Sequence, residues 1–154
     1  MQLCFFNEPP EKDNTKTRDD IEINLLENEL HKCHFIKSHK LKNKEIITYI
    51  DGSYNATTCR YGFGAVIING NEILEYKYMG SDNSLNEMRN VSGEILGAMY
   101  VVELAVINEC SKVSIYYDYT GIENWALGKW RTNNKNTKEY KAFIEERMRF
   151  IDIE

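Results

Sequence analysis

Three carboxylates occupy positions that apolar elements tolerate poorly: Asp51 closes the run ITYID, Glu94 interrupts NVSGEILGAMYVVELA, and Asp118 closes VSIYYD. A lone buried carboxylate is costly to desolvate, whereas several become tolerable when a hard, oxygen-seeking cation neutralises them. The chemistry that this trio suggests is a shared divalent-metal site for Mg2+ or Mn2+.

The elements that would position the acids follow from patterning. KEIITYID, RYGFGAVIIN and EILEYKYMG are β-branched and aromatic runs separated by turn residues. They predict three strands in a meander, with SYNATTC as the first loop and Asn69-Gly70-Asn71 as a tight hairpin. Val91, Ile95, Ala98, Val102, Ala105 and Val106 recur at helical spacing, which predicts a helix from about Asn90 to Asn108 with Glu94 on or beside its buried face. KVSIYYDY reads as a fourth strand, TGIENWALG as a short helix, NTKEYKAFIEERMRF as a longer one, and FIDIE as the start of another strand. This order defines an α/β layer fold whose fourth strand runs parallel to the first through a right-handed crossover. Asp51 and Asp118 then end adjacent parallel strands, where ligand sites of open α/β sheets collect, and the helix bearing Glu94 starts nearby.

With 154 residues, 42% of them hydrophobic, the chain can bury one core. Residues 1–43 are polar and of mixed charge, with both prolines at Pro9 and Pro10, and read as an arm before a domain at 44–154. Within the arm, DDIEINLLENELHKCHF brings Ile21, Leu25, Leu26 and Leu30 near helical spacing, predicting a short helix that packs on the domain or binds a partner. His31, Cys33, His34 and His39 lack the two separated ligand pairs of a structural zinc site, so a helix end with polar side chains is preferred. The net charge of -5 argues against gripping nucleic acid through bulk positive charge, and leaves room for a local basic patch or bound cations. Cys4, Cys33, Cys59 and Cys110 are widely spaced, which implies reduced thiols and a cytoplasmic protein. No leader and no membrane-spanning segment is expected, since the apolar stretch Leu3–Phe6 is short and runs into NEPPEKD.

Singly, each acid has a structural explanation: Asp51 as the start of a glycine turn, Glu94 as stabiliser of a helix N-terminus, Asp118 as cap of the following helix. Together they would repel one another unless protonated or bridged by a cation. The ordered set of DGS at Asp51–Ser53, the strand YGFGAVI, N-x-x-x-E from Asn90 to Glu94 and YYDYTGIENWALGKW around Asp118 resembles type I ribonuclease H over Lys44–Phe150. The resemblance implies a mixed sheet of strand order 3-2-1-4, with a truncated fifth strand and flanking helices. It also implies hydrolysis of the RNA strand of RNA/DNA hybrids with two divalent ions, for which Asp51, Glu94 and Asp118 match three of the carboxylates. In the general two-metal arrangement the ions sit roughly 3.5 to 4 Å apart and clamp the attacking and leaving oxygens.

By the same resemblance Asn90 matches an asparagine that meets the hybrid's minor groove, where a 2'-hydroxyl marks RNA; its alternative is a helix N-cap. Ser53 matches an RNA-backbone contact or else a turn hydroxyl, and Arg89 meets a phosphate or simply stands exposed before the helix. GKWRTNNKNTKEYK takes the place of the family's basic protrusion, with Lys129, Arg131, Lys135, Lys138 and Lys141, and with Trp130 as the contact for the DNA strand. Trp125 reads as core.

The sequence departs from the family pattern in lacking a histidine loop and a fourth, helix-borne aspartate after FIDIE. Asp152 aligns with the fifth strand instead, and His31, His34 and His39 lie upstream. Weak or absent hydrolysis by these residues alone is therefore expected, along with an open edge at VSIYY that a second copy or second polypeptide would complete. A non-catalytic module that binds nucleic acid or protein on the same fold is the alternative, favoured by the missing acid and disfavoured by the three retained. A 3'-5' exonuclease fits less well, because Gly52-Ser53 follows Asp51 where an Asp-x-Glu pattern would stand.

Overall fold

Alternation of apolar and polar side chains, the mark of a half-buried strand, sets the first of the long elements. In the computed structural model, which describes residues 25–33, 40–81 and 83–154, the meander consists of β1 (Glu45–Asn55), β2 (Arg60–Asn69) and β3 (Glu72–Gly80). α1 (Leu25–His31) precedes it. α2 (Asn83–Asn86), α3 (Asn90–Ile107), β4 (Lys112–Tyr116), α4 (Gly121–Ala126), α5 (Lys135–Arg147) and β5 (Asp152–Ile153) follow. The strands form one mixed sheet in the order β3-β2-β1-β4-β5, antiparallel through the meander and parallel from β1 to β5. The expected order and crossover are present, with β5 reduced to the pairs Lys112↔Asp152 and Val113↔Ile153.

Two expected strand ends are corrected. β1 runs past Asp51 to Asn55, because its antiparallel ladder with β2 continues after the parallel ladder with β4 has stopped at Tyr49↔Tyr116. The first loop shrinks to residues 56–59, with Asn55 Oδ1 accepting from the amides of Thr57 and Thr58. β4 ends at Tyr116, so Asp118 lies in the loop before α4. The second turn is as expected, a two-residue connection in which Gly70 has φ of 64°.

α3 packs against β1, β2, α1 and α5, and every residue from Ser92 to Val102 is buried. This helix is long and apolar enough to cross a membrane, contrary to the expectation that no segment would be. Its burial against the sheet and the helices α1 and α5 over most of its length accounts for that apolarity. The opposite face of the sheet is open: in β1 Ile46, Thr48 and Ile50 are buried, while Ile47, Tyr49 and Asp51 between them are exposed.

α1, from the segment read as an arm, packs on the domain through buried Leu26 and Leu30. Two buried carboxylates fasten it. Glu29 accepts from the hydroxyls of Tyr61 and Tyr78 and from Lys32 Nζ. Burial alone would raise its carboxyl, but those donors outweigh burial and hold it below its ordinary value. Glu139 of α5 accepts from the amides of Leu26 at 3.0 Å and Glu27 at 2.8 Å, satisfying donors that the start of a helix leaves without partners. Here burial prevails over the amides and pushes the carboxyl up from 4.5 to about 7. The stability tied to such a group is complete below pH 4.5 and is lost as pH rises through about 7. The protein is therefore expected to melt several degrees lower at pH 8 than at pH 5 through this group, and Glu139→Gln to flatten the difference, as read by thermal melts.

His31 is exposed at the end of α1 and Cys33 is buried behind it, whereas His34 and His39 lie outside the described residues. Asp152 stands beside Lys112 at the start of β4, the opposite end from Asp118, so it does not join the acids.

Candidate active site

The parallel ladder between β1 and β4 closes with Tyr49 opposite Tyr116. Asp51 and Asp118 each follow two residues later, so they stand at matching heights where the two strands part. Both are exposed, which corrects the expectation of three buried acids: strand alternation turns Asp51 to the open face, and the end of β4 leaves Asp118 in a loop. Asp51 is opposite Gly64, and a Cβ on Gly64 would meet nothing within 4 Å, so the surface beside the carboxylate is unobstructed.

Glu94, only 3% exposed, reaches the same end from the first turns of α3. Its Oε1 accepts from the Gly52 amide at 3.0 Å, while its buried Oε2 has no hydrogen-bond partner. Burial raises the Glu94 carboxyl above its ordinary value and the charges of Asp51 and Asp118 add to the rise, with the Gly52 amide acting against them. The three acids thus share one electrostatic field. The plain alternatives do not describe them: Glu94 bonds a strand amide, Asp51 lies within a strand, and the N-cap of α4 is Thr120.

A buried carboxylate oxygen without a partner, in the field of two more carboxylates, is a group whose burial a hard cation would offset. Among the described residues no group of three or more acidic, histidine or cysteine side chains is placed so that it could hold a metal ion.

Glycine brings the helix this close to the sheet. A Cβ on Gly93 would lie 1.9 Å from the Gly62 carbonyl oxygen, and one on Gly52 would lie 2.4 Å from the Asn90 oxygen and 2.6 Å from the Glu94 nitrogen. With hydrogen alone at both positions, the start of α3 rests on β1 and β2 and presents Glu94 to the Gly52 amide. Sequence reasoning missed this pair as positioning residues. The strings DGS and SGE carry the signal, but a glycine in sequence marks a turn or bulge as readily as a close approach.

The remaining expected site residues are all exposed. Ser53 is exposed on β1 two positions beyond Asp51, and Asn90 is exposed as the first residue of α3. The capping alternative for Asn90 fails, because the N-cap is Arg89 and no side chain caps the helix. Arg89 has φ of 53°, a conformation that side-chain-bearing residues rarely adopt. Trp130 is 42% exposed and stands edge-on to Tyr119 and Trp125, with ring centroids 6.4 and 6.0 Å away. Trp125 packs against the core, as expected. The basic segment is partly neutralised locally: Lys129 pairs with Glu123 at 2.6 Å and Lys141 with Glu145 at 3.5 Å.

Fold and site together define a class, an α/β protein with carboxylates gathered where the central parallel strands of a mixed sheet part. Ribonucleases H are among the solved structures that share this architecture. RNase H1 from the halophilic archaeon Halobacterium salinarum aligns with a TM-score of 0.59 at 18% identity, over 71% of this chain and 80% of that one. The N-terminal RNase H domain of a Mycobacterium tuberculosis protein, solved as a maltose binding protein fusion, gives 0.59 at 15% identity over 71% and 82%. LC11-RNase H1, solved in complex with RNA/DNA hybrid, gives 0.57 at 20% identity over 70% and 80%. No family model and no curated protein matches the sequence. The chain has the ribonuclease H-like fold.

Proposed function

We propose that the chain is a cytoplasmic ribonuclease H-like nuclease that binds RNA/DNA hybrid and hydrolyses its RNA strand with Mg2+, or Mn2+ in its place. The observation that carries this reading is Glu94 Oε2, a buried carboxylate oxygen with no hydrogen-bond partner in the field of Asp51 and Asp118. The complex of LC11-RNase H1 with RNA/DNA hybrid supports the choice of substrate.

Glu94 would hold an ion through Oε2 while Oε1 stays on the Gly52 amide, and Asp51 and Asp118 would supply the other ligands from β1 and the loop after β4. A divalent ion in such a site polarises a phosphoryl oxygen and acidifies a bound water. Ser53 and Arg89 would position the RNA backbone, Asn90 would meet the minor groove with its 2'-hydroxyls, and Trp130 would meet the DNA strand. A second reading, a binding module without catalysis, is favoured by the absence of a ready ligand shell among the described residues. A second copy or second polypeptide at the β4 edge belongs to the same proposal: an apolar groove of about 290 Å³ lined by Ile115, Ile144 and Ile153 runs beside the two-residue β5.

Incubating labelled RNA/DNA hybrid, double-stranded RNA and single-stranded DNA with Mg2+ or Mn2+ separates the readings. Cleavage selective for hybrid, weak as the departures from the family pattern require, is expected, with a loss of about 100-fold in Asp51→Asn. Hybrid binding that neither metal nor Asp51→Asn affects, with no cleavage, would instead establish the module.

A further inference from the structure

We propose that α1 is a detachable clasp: ionisation of the buried Glu139 carboxyl releases it from α3 and α5 while the sheet and those two helices stay folded. Glu139 is 4% exposed and lies where α5 meets the start of α1, accepting from the amides of Leu26 and Glu27. Among the described residues no cation pairs with it, and the charge acting on it from α1 is another carboxylate, that of Glu27. A carboxylate ionised there bears a desolvation cost that two amides only partly offset, and departure of α1 lets water remove that cost. Burial accordingly pushes its carboxyl from 4.5 up to about 7, so that docking is complete below pH 4.5, weakens as pH rises and levels off above about 7.

The way α1 is joined to the rest lets it leave by itself. It belongs to none of the strand ladders. The elements beneath it hold together without it, β1, β2 and β3 through their ladders, α3 against β1 and β2, and α5 against α3. Release gives up the burial of Leu26 and Leu30, the bonds of Glu29 to the hydroxyls of Tyr61 and Tyr78, and the 3.6 Å approach of Glu27 to Arg147. A short helix with so compact a set of contacts opens at lower cost than the sheet and α3. The other charged groups at the junction leave the direction unchanged. Arg147 of α5 keeps Glu103 of α3 at 3.0 Å and Glu146 at 2.7 Å when Glu27 departs. Glu29 is held below its ordinary value by Lys32, Tyr78 and Tyr61, and so stays ionised through the neutral range. Lys135 stands one turn before Glu139 on α5, and His31 is exposed at the far end of α1, where it serves as the histidine control.

Amide hydrogen exchange of the full chain at pH 6 and pH 8, corrected for the intrinsic rise of exchange with pH, reads the release directly. Protection of the α1 amides is expected to be about 10-fold lower at pH 8, the change in docking that a carboxyl moved from 4.5 to about 7 produces over that interval. Amides of β1, β2 and α3 should keep their protection, which also shows that each variant is folded. Glu139→Gln should make α1 protection equal at the two pH values, and His31→Asn should leave the 10-fold difference in place. Equal protection of α1 at both pH values in the unsubstituted chain would overturn the clasp. So would an equal fall throughout β1, β2 and α3, which would mean that the whole domain opens together. A difference that survives Glu139→Gln, or one that His31→Asn removes, would overturn the assignment to Glu139.

Discussion

Gly93→Ala is expected to destabilise the protein by about 3 kcal/mol, a fall in Tm of roughly 6 to 12 °C, and to remove hybrid cleavage. The added Cβ would sit 1.9 Å from a backbone oxygen, that of Gly62, which has no rotamer through which to yield. The start of α3 must lift from the sheet, and Glu94 leaves the Gly52 amide with it. Gly97→Ala, one turn on, is the control. Its Cβ would meet the Cβ atoms of Ile50 and Phe63 at 3.4 Å, the near edge of ordinary van der Waals contact, and alanine gains about 1 kcal/mol in helix propensity. Thermal melts of the two variants distinguish the cases, and a Gly93→Ala protein that melts with the unsubstituted chain would show that the close approach is dispensable.

Glu94→Gln is expected to act in two opposite directions. Without metal at pH 8 it should stabilise by about 1 kcal/mol, because the amide keeps an acceptor for Gly52 and removes a buried charge from the field of Asp51 and Asp118. The sign follows from the raised carboxyl: the stability associated with its neutral form is present at low pH and is lost as pH rises through the folded value. The advantage of the variant should therefore vanish near pH 4. Mg2+ should narrow the gap at pH 8 by stabilising the unsubstituted protein, while cleavage by the variant falls by about 100- to 1000-fold. Melts at both pH values, in EDTA and in Mg2+, read the first effect. Indifference of the unsubstituted protein to Mg2+ would count against metal binding by this trio.

The order of the strands, the crossover helix and the sheet end at which the acids meet were legible in the sequence, because alternation and helical spacing are local records of which face a residue buries. Strand limits were less so. β1 outruns ITYID because a partner strand holds Gly52–Asn55 in a ladder, and no pattern within that stretch records its partner. The membrane-length apolarity of α3 likewise has its cause in the sheet and in the helices α1 and α5 packed around it.

Asp51, Glu94 and Asp118 were identifiable as a trio from residue type and position alone, since a carboxylate interrupting an apolar run is conspicuous without any structure. Tertiary structure decided what kind of trio it is. The matched registers of Asp51 and Asp118, the unpartnered Oε2 of Glu94, the glycine approach of Gly52 and Gly93, and the capping of α1 by a carboxylate 113 residues away are all relations between distant segments. Such relations depend on how closely two backbones meet. That distance is set by packing across elements, which neighbours in sequence do not encode.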